Sequence, residues 1–415
     1  MANPLPLSSN STRTNIPAQR WNAPLPQTLR PPASLPYRPG LSLLPSALRP
    51  HCLAKDRLRV WRPTSARNTL DTLGLPINLS PADLSRIADV LELAFAPSTR
   101  EVYGTGLLLF HVFCDMKNIP EDQRAPASAL LLSSFVATLA GSYAPKSITN
   151  YLYGVRAWHI IHGSPWHPNT SETEAIIKAA NSIRPASSKQ KPRRPFTIDY
   201  MLAIRSQLDI SAPLDAAVFA CLTTTFYTTA RLGEFTVPNL KPASFSNTTH
   251  VTPAHVSVAR DRNNLEMTCF HIPRTKSSAA GEDLSWAEQH GLTDPKAALS
   301  NHLLVNTPPA DGPLFAYRFR KGSRPLTKTK MIAVMAKAAS TVLLDPLQGH
   351  GIRIGSTLEY LLRGVPFDVV KAKGRWSSDS FLLYLRKHAQ IMAPFMQASP
   401  VLQDSFIRFT MPPVR

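Results

Sequence analysis

The sequence is poor in acidic residues, and it lacks paired cysteines and long apolar runs. Its 415 residues include 27 Asp and Glu against 46 Lys and Arg, which gives a net charge of +19. This imbalance favours a polyanionic partner, although a cationic solubilising surface would give the same count. The four cysteines form no Cys-x-x-Cys pair. They fit free thiols in a reducing compartment better than a disulfide framework or a zinc ribbon.

Targeting signals are equally scarce. No apolar run is long enough to span a bilayer, so no membrane partner is expected. The first ten residues lack the basic and apolar regions of a secretory signal. We therefore expect an intracellular protein. The basic stretch 189–194 has the composition of a nuclear import signal and favours a nuclear location, although basic linkers of DNA-binding proteins look the same.

Composition divides the chain into four segments. Residues 1–75 are rich in Pro, Ser and Arg and are predicted to be a disordered tail, because they lack the apolar period that would offset ordering entropy. Residues 76–183 show helical periods and are predicted to form an all-helical domain. Residues 184–195 are basic, acid-free and interpreted as a linker. Residues 196–415 mix helical periods with alternating strands and are predicted to form a second domain.

Cap and turn signals predict individual elements in both domains. Ser80 is a plausible N-cap for a helix that runs to Leu93, and Thr197 has the same role at the start of the second domain. Alternation of apolar and polar residues around a turn-rich centre predicts a β-hairpin over residues 256–269. Residues 314–319 are predicted to be extended. The fold class is therefore α+β and mostly helical, with a small antiparallel sheet.

Metal-ion chemistry on a phosphodiester requires clustered carboxylates. The acids of the second domain are dispersed, which argues against a two-metal nuclease, and no metal site is predicted. A tyrosine nucleophile is the alternative, since a covalent phosphotyrosine conserves the bond energy for rejoining. Such a reaction needs cations around the non-bridging oxygens.

Residues suited to that chemistry stand in the second half of the chain. Arg231 and Arg353 are candidates for holding phosphate oxygens, because a guanidinium binds two oxygens and stays protonated. His350 stands about one helical turn before Arg353 and is the candidate base. Lys276 is the candidate acid for the leaving 5′-oxygen, and the indole N–H of Trp376 can donate to phosphate.

Two assignments have rivals within the chain. Tyr384 is the candidate nucleophile. Tyr360 is the alternative, but its apolar neighbourhood is typical of a core residue. For the lysine, Arg274, Lys328 and Lys330 are the open alternatives to Lys276.

Five motifs in order resemble the tyrosine recombinase (phage integrase) family. The resemblance covers roughly residues 79–385 and is closest to the Crypton and DIRS-type recombinases of eukaryotic transposable elements. The motifs are Ala230-Arg231-Leu232-Gly233-Glu234, Arg274-Thr275-Lys276, His350-Gly351-Ile352-Arg353, Gly374-Arg375-Trp376-Ser377 and Tyr384. Each motif alone is weak, but the five together in this order are specific.

The resemblance implies a fold and a reaction. It implies a helical, SAM-like core-binding domain followed by a tyrosine recombinase catalytic domain. Arg231 and Arg353 would be the catalytic arginines, Lys276 the general acid on a hairpin, and His350 an aid to proton transfer. Glu234 would be a structural partner of Arg231. No cofactor is implied.

The last two motifs imply the covalent step. Trp376 would occupy a position that is His in many relatives. Tyr384 would attack the scissile phosphate and leave a 3′-phosphotyrosine and a free 5′-hydroxyl. It follows Trp376 by eight residues, one fewer than is common in bacterial members. The implied function is site-specific DNA recombination in integration or transposition.

The partners follow from the same resemblance. They would be double-stranded DNA and further copies of the chain, as a homotetramer on two duplexes. The alternatives are a domesticated DNA-binding protein without recombinase activity and a type IB topoisomerase-like enzyme. In the first domain Arg100, Lys146 and Arg156 could meet DNA phosphates, with solvated surface charge as the equally weighted alternative. The linker cations that would suit closure around a duplex are Lys189, Lys191, Arg193 and Arg194.

Overall fold

The computed structural model describes residues 43–65, 67, 69–70, 73–188, 193–275, 278–376, 382 and 390–391. The chain divides into two compact units, Met1–Lys191 and Pro192–Arg415, and the division falls inside the stretch interpreted as a linker. Each unit has its own hydrophobic core. The fold is α+β and mostly helical with a small antiparallel sheet, which confirms the predicted class.

The described part of the first unit is built from helices. Short 3₁₀ turns cover Ala54–Asp56, Glu121–Gln123 and Ala186–Ser188. The α-helices are α1 (Arg57–Val60), α2 (Pro81–Leu93), α3 (Pro97–Met116), α4 (Ala129–Leu139), α5 (Pro145–His162) and α6 (Thr170–Ser182). Ser80 caps α2 as predicted, because its hydroxyl accepts from the Asp83 backbone N–H while the Asp83 carboxylate accepts from the Ser80 backbone N–H.

The first unit includes residues that composition placed in a disordered tail. Leu58 and Trp61 are fully buried in the core of α3, α4 and α5. The Trp61 indole N–H donates to the Pro50 carbonyl at 2.9 Å, and the Trp158 indole N–H donates to the Trp61 carbonyl at 2.8 Å. The prediction of a tail reaching residue 75 is therefore wrong for this stretch, since these side chains find partners far along the chain. Residues 1–42 lie outside the described ones.

The second unit combines helices with two antiparallel sheets. Two 3₁₀ turns cover Pro242–Ser244 and Pro253–His255. The α-helices are α7 (Ile198–Arg205), α8 (Pro213–Tyr227), α9 (Leu232–Phe235), α10 (Pro295–Asn306), α11 (Lys328–Thr341), α12 (His350–Leu362) and α13 (Phe367–Lys373). The strands are β1 (Val256–Arg260), β2 (Glu266–Ile272), β3 (Glu282–Trp286), β4 (Tyr317–Phe319) and β5 (Gly322–Arg324).

The larger sheet has the order β1-β2-β3, and both pairings are antiparallel. Val256 pairs with Phe270 and Arg260 with Glu266, which confirms the predicted hairpin. Ile272 pairs with Glu282, so β3 adds a third strand that the sequence did not predict. Strands β4 and β5 form a separate two-stranded hairpin.

Helix α8 lies at the centre of the second unit. Its residues from Ala216 to Tyr227 are all buried, and it packs against α10, α11 and α12. Such an apolar, non-amphipathic helix is expected where other elements cover every face. Its C-terminal end therefore sits at a fixed place, and the chain leaves it directly into the first candidate motif. Within the described ranges, no helix has both the length and the apolar character of a membrane span.

Candidate active site

The turn after α8 sets the position of Arg231. Thr229 adopts a left-handed φ of 55°, which is rare for a β-branched residue. Its hydroxyl lies 2.8 Å from the Ser356 hydroxyl of α12. The Tyr360 hydroxyl of α12 also donates to the Tyr227 carbonyl at 2.8 Å. One buried and one partly buried hydrogen bond therefore fix this turn against α12, the helix that carries the second arginine.

Arg231 stands at the start of α9 and is held by Glu234. The Arg231 backbone N–H donates to Glu234 Oε2 at 2.8 Å, and the guanidinium Nη1 donates to Oε1 at 3.0 Å. The Arg231 side chain is 36% exposed, whereas that of Glu234 is 7% exposed. Glu234 thus orients a guanidinium that still offers donors to an anion, consistent with the structural role implied for Glu234.

Helix α12 carries His350 in its first turn and Arg353 one turn later. The segment before α7 crosses this helix closely. The Phe196 backbone N–H donates to the Gly351 carbonyl at 3.0 Å, and a Cβ at Gly355 would lie 1.9 Å from the Phe196 carbonyl oxygen. Glycine at these two positions therefore serves packing, since any side chain at position 355 would push the crossing segment away.

Arg353 is buried, with 2% of its surface exposed. Its guanidinium donates to the Gly374 carbonyl, and its Cζ lies 4.2 Å from the centroid of the Trp376 ring. This is a cation–π contact in a desolvated place, where such contacts are strongest. A Cβ at Gly374 would lie 1.6 Å from Trp376 Cζ3, so only glycine lets the indole lie in this position.

His350 lies among cations. Partial desolvation is the largest cause that lowers its pKa, followed by the charges of Arg193, Arg353, Lys328 and Arg231. Its imidazole is therefore neutral at neutral pH and can accept a proton. His350 and Arg353 share the first turns of α12, and the turn before Arg231 is bonded to the same helix. Lys328, one of the open alternatives for the lysine, is one of the cations that lower the pKa of His350.

Lys276 and Tyr384 lie outside the described residues, so their assignments stay predictions. Thr275 and Ser278, which stand on either side of the lysine, are joined by a backbone hydrogen bond of 2.9 Å. Tyr360, the rival nucleophile, has its hydroxyl bonded to Tyr227, and burial raises its pKa. Both features suit the core role expected for it.

Arg375 is a site residue that sequence reasoning missed. Its Nη2 donates to Glu234 Oε2 at 2.6 Å, and its Nη1 donates to Glu282 Oε2 of β3 at 2.8 Å. The Arg375 side chain is 11% exposed and its φ is 58°. Arg375 thus links Glu234, the residue that holds Arg231, to Glu282 of the larger sheet. Arg375 stands in the Gly374-Arg375-Trp376-Ser377 motif. Sequence reasoning assigned this arginine no role, because nothing in the motif shows which acids it pairs with.

Lys373 was also missed. Its Nζ donates to the Ser285 carbonyl at 3.0 Å and lies 5.0 Å from the Tyr360 ring centroid. Burial lowers its pKa to about 8. No sequence motif indicated this partly desolvated lysine, which packs between β3 and the Tyr360 ring of α12.

The residues predicted to contact DNA differ in their surroundings. Arg100 pairs with Glu92, and Arg194 pairs with Asp345, so both charges are partly neutralised. Arg193 lies near His350. Lys146 and Arg156 are exposed on α5 of the first unit. Lys189 and Lys191 lie outside the described residues.

Metal ligands are not gathered anywhere in the described ranges: no group of three or more His, Cys, Asp or Glu could hold an ion there. What the second unit does gather is two arginines, a neutral histidine and an indole. Chemically, Arg231 can bind a non-bridging oxygen of a phosphodiester and His350 can accept one proton, whereas Arg353 is buried as it stands.

Comparison with known proteins gives structural likeness only. No family model and no curated protein sequence matches the chain. Among solved structures, it is similar to XerA recombinase, at 15% identity over 76% of this chain and 98% of that one, with a TM-score of 0.34.

Two further solved structures are similar. One is a lambda integrase dimer bound to a COC′ core site, at 15% identity over 72% of this chain and 93% of that one, with a TM-score of 0.41. The other is an FLP recombinase–Holliday junction complex, at 11% identity over 80% of this chain and 82% of that one, with a TM-score of 0.32. At such values the likeness carries no argument about activity, which depends on the residues of the site.

Proposed function

We propose that the chain is a site-specific DNA recombinase that cuts and rejoins duplex DNA through a 3′-phosphotyrosine. The observation that supports this most directly is the junction of α8 and α12. Hydrogen bonds there hold the turn before Arg231 against α12, the helix of His350 and Arg353, and these residue types suit a metal-independent phosphoryl transfer.

The proposed reaction assigns one role to each residue. Arg231 and Arg353 bind the non-bridging oxygens. The Tyr384 oxygen bonds to phosphorus as the bond from phosphorus to the 5′-oxygen breaks. His350 takes the tyrosine proton, and the 5′-oxygen receives a proton from Lys276. Rejoining runs the same steps in reverse, so no energy source is needed.

Burial of Arg353 sets a condition on this proposal. With 2% of its surface exposed, Arg353 cannot reach a phosphate until its surroundings move. DNA binding would therefore have to loosen the contacts of Arg353 with the Gly374 carbonyl and the Trp376 ring. The same observation favours a second candidate, a DNA-binding protein that no longer recombines, if that displacement does not occur.

The decisive experiment traps the covalent complex. The full chain is incubated with a nicked duplex that carries the ends of its own element, and DNA adducts are counted after denaturation. We expect an adduct with the natural chain and with Tyr360→Phe, which removes only the hydrogen bond to Tyr227. Tyr384→Phe should give none.

The opposite pattern, with an adduct in Tyr384→Phe and none in Tyr360→Phe, would overturn the assignment of the nucleophile. No adduct on any end sequence, together with retained DNA binding, would favour the second candidate. The wider proposal includes a homotetramer on two duplexes, a nuclear site of action and an origin in a Crypton- or DIRS-type element.

A further inference from the structure

The β4–β5 hairpin of the second unit has a cationic tip. No acid occurs between residues 312 and 344. In the part of the chain that the structure describes, none of the hairpin's cations takes part in a salt bridge. These cations are Arg318, Arg320, Lys321 and Arg324. Apart from Arg324, which is half-buried, all of them are exposed.

The base of this hairpin is anchored, so its tip is presented in a fixed direction. Tyr317 is buried, and the Arg318 backbone N–H donates to Asn306 Oδ1 at 2.9 Å. The Asn306 amide in turn donates to the Pro213 carbonyl at the start of α8 at 2.8 Å. The hairpin is therefore tied to α8 and α10, the helices at the centre of the unit.

Phe319 organises two of the cations. It is 43% exposed, and the Cζ atoms of Arg324 and Arg320 lie 4.7 Å and 5.5 Å from its ring centroid. Arg320 also has a left-handed φ of 55°, a conformation that costs an L-residue about 1 kcal/mol or more. A cation at such a position, stacked on an exposed ring, suggests a surface built to present charge.

The cationic surface continues toward the candidate active site. After β5 the chain enters α11, whose first turn carries Lys328 and Lys330. Cations at a helix N-terminus are disfavoured by the helix dipole, so their placement there raises the local positive potential. The Val237 backbone N–H, just after α9, donates to the Leu326 carbonyl at 3.1 Å, so the segment between β5 and α11 is bonded to the segment that follows Arg231. The charge of Lys328 is also among the causes that lower the pKa of His350.

We propose that the β4–β5 hairpin binds the phosphate backbone of duplex DNA beside the scissile phosphate. Arg320 and Lys321 contact phosphates, and Phe319 holds the Arg320 and Arg324 side chains in position. The choice of duplex DNA as the partner rests on the proposed function. A rigid row of unneutralised cations next to a phosphodiester site fits a polyanion whose charges repeat along its length.

Charge and pre-organisation can be tested separately. Binding of the full chain to a short, unnicked duplex is measured by fluorescence anisotropy between about 50 and 200 mM KCl. The double variant R320Q/K321Q should flatten the slope of log K against log salt by about 1.8, or about 0.9 for each phosphate that is no longer neutralised. F319A keeps every charge, so it should weaken binding about two- to fivefold with an unchanged slope.

The matched control is K241Q/R262Q, which removes two exposed cations outside the hairpin and α11. Its slope should equal that of the natural chain. If R320Q/K321Q has the same salt slope as this control, the inference is overturned. It is also overturned if F319A flattens the salt slope as well as weakening binding.

The adduct assay separates this inference from the proposed function. If the natural chain forms no adduct but R320Q/K321Q still flattens the slope, the proposed chemistry fails and the hairpin remains a DNA contact. If the adduct forms and the slope is unchanged, the hairpin inference alone is overturned.

Discussion

His350 connects the electrostatics of the site to a measurable pKa. Desolvation lowers that pKa most, and the charge of Arg193 is the next cause. Arg193→Gln should therefore raise the pKa of His350, because one cation that disfavours the imidazolium is gone. The pKa is measured by NMR titration of labelled histidine, with His350→Gln as the assignment variant. Neutral His350 accepts the tyrosine proton, so adduct formation is lost on acidification when His350 becomes protonated. In Arg193→Gln this loss should occur at a higher pH than in the natural chain.

Arg194→Gln is the control for this prediction. Its guanidinium pairs with Asp345 and is not among the causes that lower the pKa of His350. The titration of His350 should be the same in this variant as in the natural chain. An unchanged or lower pKa in Arg193→Gln would contradict the assignment of its charge.

Single residues also show how far the sequence could predict the site. Arg231, His350 and Arg353 were predicted from residue type and from the resemblance of their motifs to a known family, and the turn before Arg231 is bonded to the helix that carries the other two. Arg375 could not be identified in this way, because its partners Glu282 and Glu234 lie 93 and 141 residues away in the sequence. Spacing along a chain predicts contacts within one helix but not an ion pair that the tertiary fold creates.

At the scale of elements, Arg375 links β3, α9 and the segment that follows α13. Arg375→Gln leaves the carboxylates of Glu234 and Glu282 without their shared cation, with side chains 7% and 22% exposed. We expect a loss of roughly 1–3 kcal/mol in the free energy of unfolding, less than for a fully buried pair because Glu282 is partly solvated. Arg375→Lys should recover only part of this, because an ammonium lacks the fork that binds both carboxylates.

The control for this link is Arg260→Gln on β1, where Arg260 pairs with Glu266 and the side chains are 56% and 34% exposed. Its effect on the free energy of unfolding should stay below about 0.5 kcal/mol. Urea unfolding measures all three variants. Equal losses of unfolding free energy in Arg375→Gln and Arg260→Gln would show that the Arg375 link stabilises the unit no more than a surface ion pair does.

Elements differed in how well their sequence patterns predicted them. The β1–β2 hairpin alternates apolar and polar residues around a turn and was predicted. β3 (Glu282–Trp286) was missed because only Leu284 and Trp286 are buried in it, which is too short an alternation to recognise. α10 was missed because its apolar residues follow no clear period. α12 begins at His350, earlier than its apolar pattern alone indicated.

At the scale of the whole molecule, composition misjudged where the first unit begins. Average composition over 1–75 is that of a disordered chain, yet a few side chains join the folded core. The Arg57 guanidinium donates to the Gly104 carbonyl at 2.9 Å, and Arg49 lies 3.4 Å from the Asp115 carboxylate. A compositional average cannot register single anchors of this kind, because their stability comes from partners elsewhere in the unit.

Buried neutral histidines make the first unit sensitive to acid. Burial lowers the pKa of His159 and His162 to about 4, and it lowers that of His111 well below its usual value. The unfolded chain takes up protons near the ordinary histidine pKa of about 6.5, whereas the folded unit does not until the pH approaches 4. Stability is therefore full above about pH 6.5 and is lost as the pH falls toward the folded value, by roughly 2 kcal/mol per histidine at about pH 5.

Hydrogen exchange of the slowest amides in α3 and α5 measures the unfolding of the first unit separately from that of the second. We expect their protection to fall between about pH 7.5 and 5 by more than the intrinsic exchange rates account for. In the natural chain, His159 Nε2 accepts from the Ala127 N–H at 3.0 Å and Nδ1 donates to the Val155 carbonyl at 2.9 Å. His159→Gln loses part of this hydrogen bonding, so the first unit should be less stable at neutral pH. Because Gln does not titrate, the variant should lose less stability than the natural chain on acidification. Equal pH dependence in the variant and the natural chain would mean that His159 is not a source of the acid sensitivity.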